Sequence, residues 1–127
     1  MADRSKLGKR NRRAGHKFER DLMHEYRSLG YVDCVTARND SRILDSCGID
    51  LSRIPFFPQA KYGYPSMSVN NYIKLFEKMA EGLKDNKVKE DYPLVIHHRR
   101  GRKKYEDLVI IPRKDFFKLI KTLKSEN

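Results

Sequence analysis

Apolar residues recur at helical spacing in three stretches of the chain. In the first stretch, Phe18, Leu22 and Tyr26 lie four residues apart on one stripe, and Gly30 is a typical helix stop. Ser68 is a favourable N-cap for the second stretch, because its hydroxyl can accept a hydrogen bond from the first helical turn. The predicted helices cover residues 15–29, 69–83 and 112–123.

Short runs rich in β-branched and aromatic residues lie between these helices and favour strands. The predicted strands cover residues 31–37, 49–54, 56–62, 92–96 and 105–111, and residues 38–46 and 63–65 are predicted as connections. The last two strands are expected to form a β-hairpin with Gly101 in its turn. The order α-β-β-β-α-β-β-α predicts an α/β fold in which helices flank a central mixed sheet.

The length of 127 residues and the hydrophobic content of 39% suit one domain with an ordinary core. The longest apolar runs are too short to cross a bilayer, and no apolar segment follows the charged N-terminus as in a secretory signal. Cys34 and Cys47 lack CxxC spacing and histidine partners at zinc-site intervals, so neither a disulfide scaffold nor a zinc finger is expected. A reducing cytoplasm fits this use of cysteine.

Positive charge exceeds negative charge by 11, and residues 1–17 and 97–104 together hold 12 of the 28 lysines and arginines. Residues 1–13 are predicted to form a flexible basic arm, and residues 14–127 a single domain. The second cluster is placed at the hairpin tip, where His97 and His98 are interpreted as surface residues or phosphate contacts. This local charge favours a nucleic-acid partner over a membrane, because neither cluster has a large apolar face.

The residue grouping with the clearest chemical meaning lies around two neighbouring predicted strands. Asp50 is at the start of one strand, and Gln59 and Lys61 lie two residues apart on the next, so their side chains share a face. If the two strands pair as a hairpin, that face can hold all three side chains. Oxygen ligands can bind Mg²⁺ against a phosphate while a cation positions or activates water, so the grouping suits phosphodiester hydrolysis. Glu19 on the first helix offers a further carboxylate.

These residues belong to a longer ordered pattern. Its pieces are Gly15, Phe18-Glu19-Arg20, Gly30-Tyr31-Val32, Thr36-Ala37-Arg38-Asn39-Asp40-Ser41, Gly48-Ile49-Asp50-Leu51 and Gln59-Ala60-Lys61. The pattern resembles the PD-(D/E)xK nuclease superfamily, and it looks most like the archaeal-type Holliday junction resolvases. The resemblance covers residues 14–62 by motif and residues 63–120 by the order of elements alone.

The resemblance implies a restriction-endonuclease-like fold and Mg²⁺-dependent cleavage of branched DNA such as a four-way Holliday junction, with Mn²⁺ able to replace Mg²⁺. Glu19, Asp50 and Gln59 would hold the metal. Lys61 would orient or activate the attacking water. Two symmetric nicks need two active sites, so the resemblance also implies a homodimer.

The residues expected to contact DNA are Arg10, Arg12, Arg13, Lys17, Arg38, Ser41, Arg99, Arg100, Arg102, Lys103 and Lys104. Arg38 and Ser41 are assigned by the resemblance, and the others by the clustering of charge. We expect contacts with the DNA backbone that do not read sequence.

One position departs from the family pattern. The family prefers Glu where this chain has Gln59, whose uncharged carbonyl oxygen should bind Mg²⁺ more weakly unless a neighbour such as Asp45 helps. The Gln-x-Lys string is similar to that of Mrr-like restriction endonucleases. Two other functions therefore stay open. One is a different nuclease of the superfamily, acting in restriction, repair or phage DNA processing, and the other is a catalytically inactive nucleic-acid-binding module.

Overall fold

A computed structural model of the chain describes residues 4–64 and 66–125, and the side chains of residues 9–64 and 66–125. The helices are α1 (Arg4–Ser28), α2 (Ala37–Asp40), α3 (Arg42–Ser46), α4 (Val69–Asp85) and α5 (Arg113–Ser125). The strands are β1 (Val35–Thr36), β2 (Leu51–Ser52), β3 (Phe57–Tyr62), β4 (Leu94–Arg99) and β5 (Asp107–Ile110). A short 3₁₀ helix, Lys104–Glu106, precedes β5.

Within the described residues, the strands form two small sheets, so the fold is mixed α/β. β1 and β2 pair antiparallel, with Val35 opposite Ser52. The larger sheet has the order β3-β4-β5, in which β3 and β4 are parallel while β4 and β5 are antiparallel. The mixed pairing and the final hairpin are therefore confirmed, and Gly101 lies in the connection between β4 and β5.

Helices α1 and α4 pack on opposite faces of the three-stranded sheet. Ala60 of β3 packs against a buried cluster that includes Phe18 of α1. Phe57, on the other face of the same strand, is buried with Met79 of α4. Because successive strand residues alternate between faces, odd-numbered residues of β3 face α4 and even-numbered ones face α1.

The predicted second helix is confirmed. Ser68 accepts a hydrogen bond from the backbone N–H of Asn71 (3.2 Å), as an N-cap does, and the apolar face buries Leu83 in the core. None of the helices in the described ranges is long and apolar enough to cross a membrane.

Helix α1 begins earlier than predicted, at Arg4 rather than at residue 15. Lysine and arginine are good helix formers, so they continue a helix whose apolar stripe starts further along the chain. The described part of the basic arm is consequently helical. Residues 1–3 of the arm, Pro65 in the predicted break and residues 126–127 lie outside the described residues, and the flexibility of the arm stays a prediction.

The predicted strands at 31–37 and 49–54 are much shorter than expected, since two residues of each, in β1 and β2, are extended. A turn precedes β1, in which the N–H of Cys34 donates to the carbonyl of Tyr31 (3.1 Å). The β-propensity of this segment is therefore overridden by local turn geometry.

The predicted polar loop at 38–46 is also wrong, because it contains α2 and α3. Ser41 separates the two helices and accepts a hydrogen bond from the N–H of Leu44 (3.2 Å). A serine at the N-cap satisfies a backbone donor that would otherwise have no partner in a helix this short.

Candidate active site

Asp50 lies at the outer edge of β3, opposite the edge that pairs with β4. Its N–H donates to the carbonyl of Pro58 (2.8 Å), and its carboxylate Oδ2 accepts from the N–H of Ala60 (2.7 Å). The carboxylate thus takes the place of a backbone carbonyl from a neighbouring strand. This explains why the expected hairpin of two paired strands does not form, and β2 pairs with β1 instead.

Charged groups from α1, α3 and β3 act on this carboxylate. Burial, together with the negative charges of Glu19 and Asp45, raises the pKa of Asp50 to about 7, although the hydrogen bond from Ala60 and the charge of Lys61 lower it. The predicted residues Glu19 and Lys61 are therefore within electrostatic range of Asp50. An ionised Asp50 in this setting attracts a positively charged ligand.

Glu19 is largely buried on α1 and faces a cation from α2. A guanidinium nitrogen of Arg38 lies 3.9 Å from a carboxylate oxygen of Glu19. Burial raises the pKa of Glu19, Arg38 lowers it, and Asp45 raises it further. Arg38 thus partly neutralises the carboxylate cluster in the free protein, and its contact with phosphate stays a prediction.

Gln59 occupies the third predicted ligand position, on the face of β3 that is directed toward α4. Its Nε2 donates to the carbonyl of Gly48 (3.0 Å). Its Oε1 is buried without a hydrogen-bond partner among the described residues. Such an unsatisfied polar atom costs about 1–3 kcal/mol, so this oxygen would gain from a bound cation or water.

Gly48 makes the close approach of the Gln59 amide possible. The backbone of Gly48 has φ +79°, and a Cβ at this position would lie 2.7 Å from Gln59 Nε2. Glycine adopts this backbone region without a steric penalty, unlike residues with a side chain. The Gly48-Ile49-Asp50 string of the sequence pattern thus places the amide as well as the carboxylate.

Lys61 lies two residues beyond Gln59 and is directed to the same side of the sheet. Its ammonium is 5.4 Å from the ring centroid of Tyr64. No described carboxylate forms an ion pair with Lys61. Its charge can therefore be offered to an anionic ligand.

The oxygen atoms of this cluster suit a hard divalent cation. Across residues 9–64 and 66–125, no three His, Cys, Asp or Glu side chains lie together closely enough to form a metal site by themselves. Asp50 and the unpaired oxygen of Gln59 provide two oxygens, and Glu19 and Asp45 add negative charge. Mg²⁺ or Mn²⁺ would offset the cost of ionising Asp50 and give the Gln59 oxygen a partner, so the residues fit such an ion.

A groove of about 600 Å³ lies between α1 and the connection from β4 to β5. Tyr62, the residue after Lys61 in β3, forms part of its wall and packs against Phe18, with ring centroids 6.3 Å apart. We call it the basic groove, after the residues Lys17, Arg99, Arg100, Arg102, Lys103 and Lys104 that line it. Basic clusters far apart in sequence therefore converge beside the end of β3.

The cations of the basic groove differ in their surroundings. Arg99 donates to Asp107 (3.0 Å), lies 3.7 Å from Asp21, and has its guanidinium 4.7 Å from the ring centroid of Phe18. Arg99 is therefore part of the groove wall. The side chains of Arg102, Lys103 and Lys104 are exposed on the loop.

The remaining predicted DNA contacts lie on two other elements. Arg10, Arg12 and Arg13 are exposed on α1, N-terminal to the basic groove. The hydroxyl of Ser41 caps α3, so the structure gives this residue a role within the fold. Its contact with phosphate stays a prediction.

Sequence reasoning missed a buried histidine near the site. The placement of His97 and His98 at the hairpin tip is wrong, because β4 continues to Arg99. His98 is fully buried, accepts from the hydroxyl of Tyr72 at Nδ1 (2.5 Å) and donates from Nε2 to the carbonyl of Gly63. The available signal was the spacing along one strand, because residue 98 shares a face with the apolar residues Leu94 and Ile96 if the strand continues.

Comparison of the chain with protein-family models, with characterised proteins and with solved structures finds no match. The class that the structure defines is a mixed α/β protein in which helices flank a three-stranded sheet. The function of the site therefore has to be inferred from its own residues and from their order in the sequence.

Proposed function

We propose that the chain is a metal-dependent DNA endonuclease that cleaves branched DNA, related to the PD-(D/E)xK resolvases and with their restriction-endonuclease-like sheet. The observation that carries the proposal is the buried carboxylate of Asp50, whose pKa is raised to about 7 by burial and by two further carboxylates. The charge of Lys61 lowers the pKa of the same carboxylate, and the next residue, Tyr62, lines the basic groove. Negative charge next to a positive groove suits a cation held between the protein and a phosphate.

Asp50, Gln59 and Glu19 would hold Mg²⁺ or Mn²⁺, with Asp45 adding charge. When bound, the ion supplies charge that polarises the phosphate and makes water a better nucleophile. The ammonium of Lys61 positions that water and offsets the negative charge that develops on the phosphate. Asp50 must lose its proton for this role, and burial raises its pKa in the metal-free protein, so protons should compete with the ion and more Mg²⁺ should be needed for activity at acidic pH.

The basic groove would hold the DNA backbone, because its cations meet phosphates without distinguishing bases. Arg10, Arg12 and Arg13 extend the positive surface along α1. A symmetric pair of cuts across a four-way junction requires two such sites, so the proposal includes a homodimer.

Cleavage of a labelled four-way junction tests the proposal directly. The wild type should cut with Mg²⁺ or Mn²⁺ and be inactive in EDTA, while Asp50→Asn and Lys61→Ala should each lose about 100-fold or more in rate. Asp91→Asn and Lys89→Ala, at exposed positions of the connection before β4, are matched controls and should cut like the wild type. Equal cutting by all five proteins would remove Asp50 and Lys61 from the site.

Competition between the junction and a linear duplex distinguishes a resolvase from a restriction-like or repair nuclease. Preferential cutting of the junction supports a resolvase, and equal cutting supports another nuclease of the superfamily. Binding without cleavage in either metal, with a steep dependence on salt, would support the inactive binding module.

The inactive module is favoured by the missing charge at Gln59, whose amide nitrogen is held by the Gly48 carbonyl while only an uncharged oxygen is left for a cation. Gln59→Glu tests this point. Glutamate adds charge for a cation but loses the donor to the Gly48 carbonyl. Higher activity would show that charge limits the native site, and unchanged activity would show that the amide suffices.

A further inference from the structure

A second groove lies on the opposite face of the sheet from the basic groove. It has a volume of about 660 Å³ and runs between the end of β3 and α4. Asn71, Lys74 and Lys78 of α4 line one side, at spacings that place them on one stripe of the helix. Lys61 and Tyr64 line the other side.

The lysines of this groove have their charges available. Among the residues that the structure describes, no carboxylate forms an ion pair with Lys61, Lys74 or Lys78. Three ammonium groups around one groove repel one another and attract a ligand that carries several negative charges. This charge pattern complements a chain of phosphates better than a single anion.

Tyr64 offers a flat apolar surface between these charges. Tyr64 is 67% exposed, and the Lys61 ammonium lies 5.4 Å from the centroid of its ring. The backbone at Gly63 (φ +81°) and Tyr64 (φ +56°) is left-handed at both positions and turns the chain away from β3. A turn that exposes an aromatic ring beside lysines is an arrangement on which an unpaired base can stack.

The groove is continuous with the candidate active site through Lys61. This residue lines the groove and also acts on the carboxylate of Asp50. Its neighbour Tyr62 lines the basic groove on the other face of the sheet. The two grooves therefore lie on opposite faces of the sheet beside the same end of β3.

We propose that this second groove binds a single-stranded DNA segment, with phosphates on Lys74 and Lys78 and a base stacked on Tyr64. The proposal rests on the proposed function, because the segment is the unpaired continuation of the strand that would be cut at Asp50. An unpaired base is needed for stacking, so the groove favours substrates that open at the branch over continuous duplex.

Fluorescence anisotropy of a labelled oligothymidylate, measured with the full chain in EDTA over a range of salt, tests this groove without cleavage. Lys74→Ala/Lys78→Ala should weaken binding about tenfold at low salt and reduce the salt slope by about 1.4, since each phosphate contact on a single strand contributes about 0.7. Lys84→Ala/Lys89→Ala removes the same charge from exposed sites outside the groove and should leave the slope unchanged. Equal slopes for both double variants would overturn the proposal.

Tyr64→Ala should weaken the same binding about tenfold without changing the salt slope, because stacking involves no counterion release. Tyr64→Phe should retain the affinity of the wild type. Equal affinity for Tyr64→Ala and the wild type, or no binding of oligothymidylate by the wild type, would overturn the proposal. Loss of cleavage in Asp50→Asn is a separate measurement, so the proposed function and this groove can fail independently.

Discussion

The substitution Asp50→Asn should stabilise the metal-free protein at alkaline pH while it removes the proposed activity. In the wild type, mainly because of burial, the pKa of Asp50 rises from 3.8 to about 7. Between these two values the native state keeps a proton on Asp50, whereas the unfolded chain has lost it. Because the native state binds more protons in this window, the free energy of unfolding falls as pH rises from about 4 to about 7.

The size of this effect follows from the difference between the two pKa values. A rise from 3.8 to about 7 is roughly three pH units, which corresponds to about 4 kcal/mol of unfolding free energy. Asparagine carries no charge and keeps an oxygen that can accept from the N–H of Ala60. Since relaxation and water entry reduce such costs, we expect Asp50→Asn to gain about 2–4 kcal/mol at pH 8 and less than about 1 kcal/mol near pH 4.

Urea denaturation in EDTA at both pH values measures this difference, with Asp91→Asn as the exposed control. If Asp50 is a ligand of the proposed metal site, Mg²⁺ should stabilise the wild type at pH 8 and have little effect on Asp50→Asn. If Asp50→Asn lowered stability equally at both pH values, the carboxylate would be ionised and paired in the native state. The reasoning about its burial would then be refuted.

The remaining predictions concern residues around the site, and urea denaturation tests each of them. Gly48→Ala should cost about 1–3 kcal/mol, because alanine is strained at φ +79° and its Cβ would collide with the Gln59 amide. Gly15→Ala, in α1 with open space around its Cβ position, should instead be neutral or add up to about 1 kcal/mol, and an equal loss for both variants would contradict the argument. His98→Phe should cost about 2–4 kcal/mol, because it leaves two partly buried partners unpaired, whereas Tyr72→Phe removes one bond and should cost about 1 kcal/mol. Burial also lowers the pKa of His98, so the stability lost in His98→Phe should shrink as pH falls below about 6.5, and a difference from the wild type that stayed constant across this range would argue against this.

Elements with a strong apolar period were predictable from the sequence. Helix α4 lies where the pattern places it, because it buries one face against the core and begins after the N-cap Ser68. Strand β3 begins within one residue of its predicted start. The structure of residues 31–46 was not predictable in this way. Its β-branched residues lie partly in turns and short helices, which depend on tertiary contacts. The start of α1 at Arg4 was also missed, because the charged residues there are good helix formers but show no apolar period.

The candidate site was likewise predictable only in part from the sequence. The order of residues in the sequence identified Asp50 and Lys61, which the structure places within electrostatic range of each other. Gln59 lies in the middle of β3, where its amide donates to the Gly48 carbonyl, and its role as a ligand stays a prediction. Period-2 alternation put Gln59 and Lys61 on one face correctly. This alternation could not show that the Asp50 carboxylate accepts the hydrogen bond that a neighbouring strand would otherwise accept. That contact depends on the strand with which β2 pairs. The contribution of Asp45 depends on α3, a helix that the sequence pattern does not predict.

The unpaired edge of β3 connects the stability argument with the proposed function. Exposed strand edges attract other chains, and this edge is closed by the side chain of Asp50 instead of by another strand. In the free protein, the carboxylate of Asp50 is therefore costly to ionise, and the amide oxygen of Gln59 lacks a hydrogen-bond partner among the described residues. The proposed cation would offset both costs, so the local instability of the free protein would contribute to the binding energy of the ion. A protein selected for stability alone would have no reason to keep them, and removing the charge at Asp50 should therefore trade activity for stability.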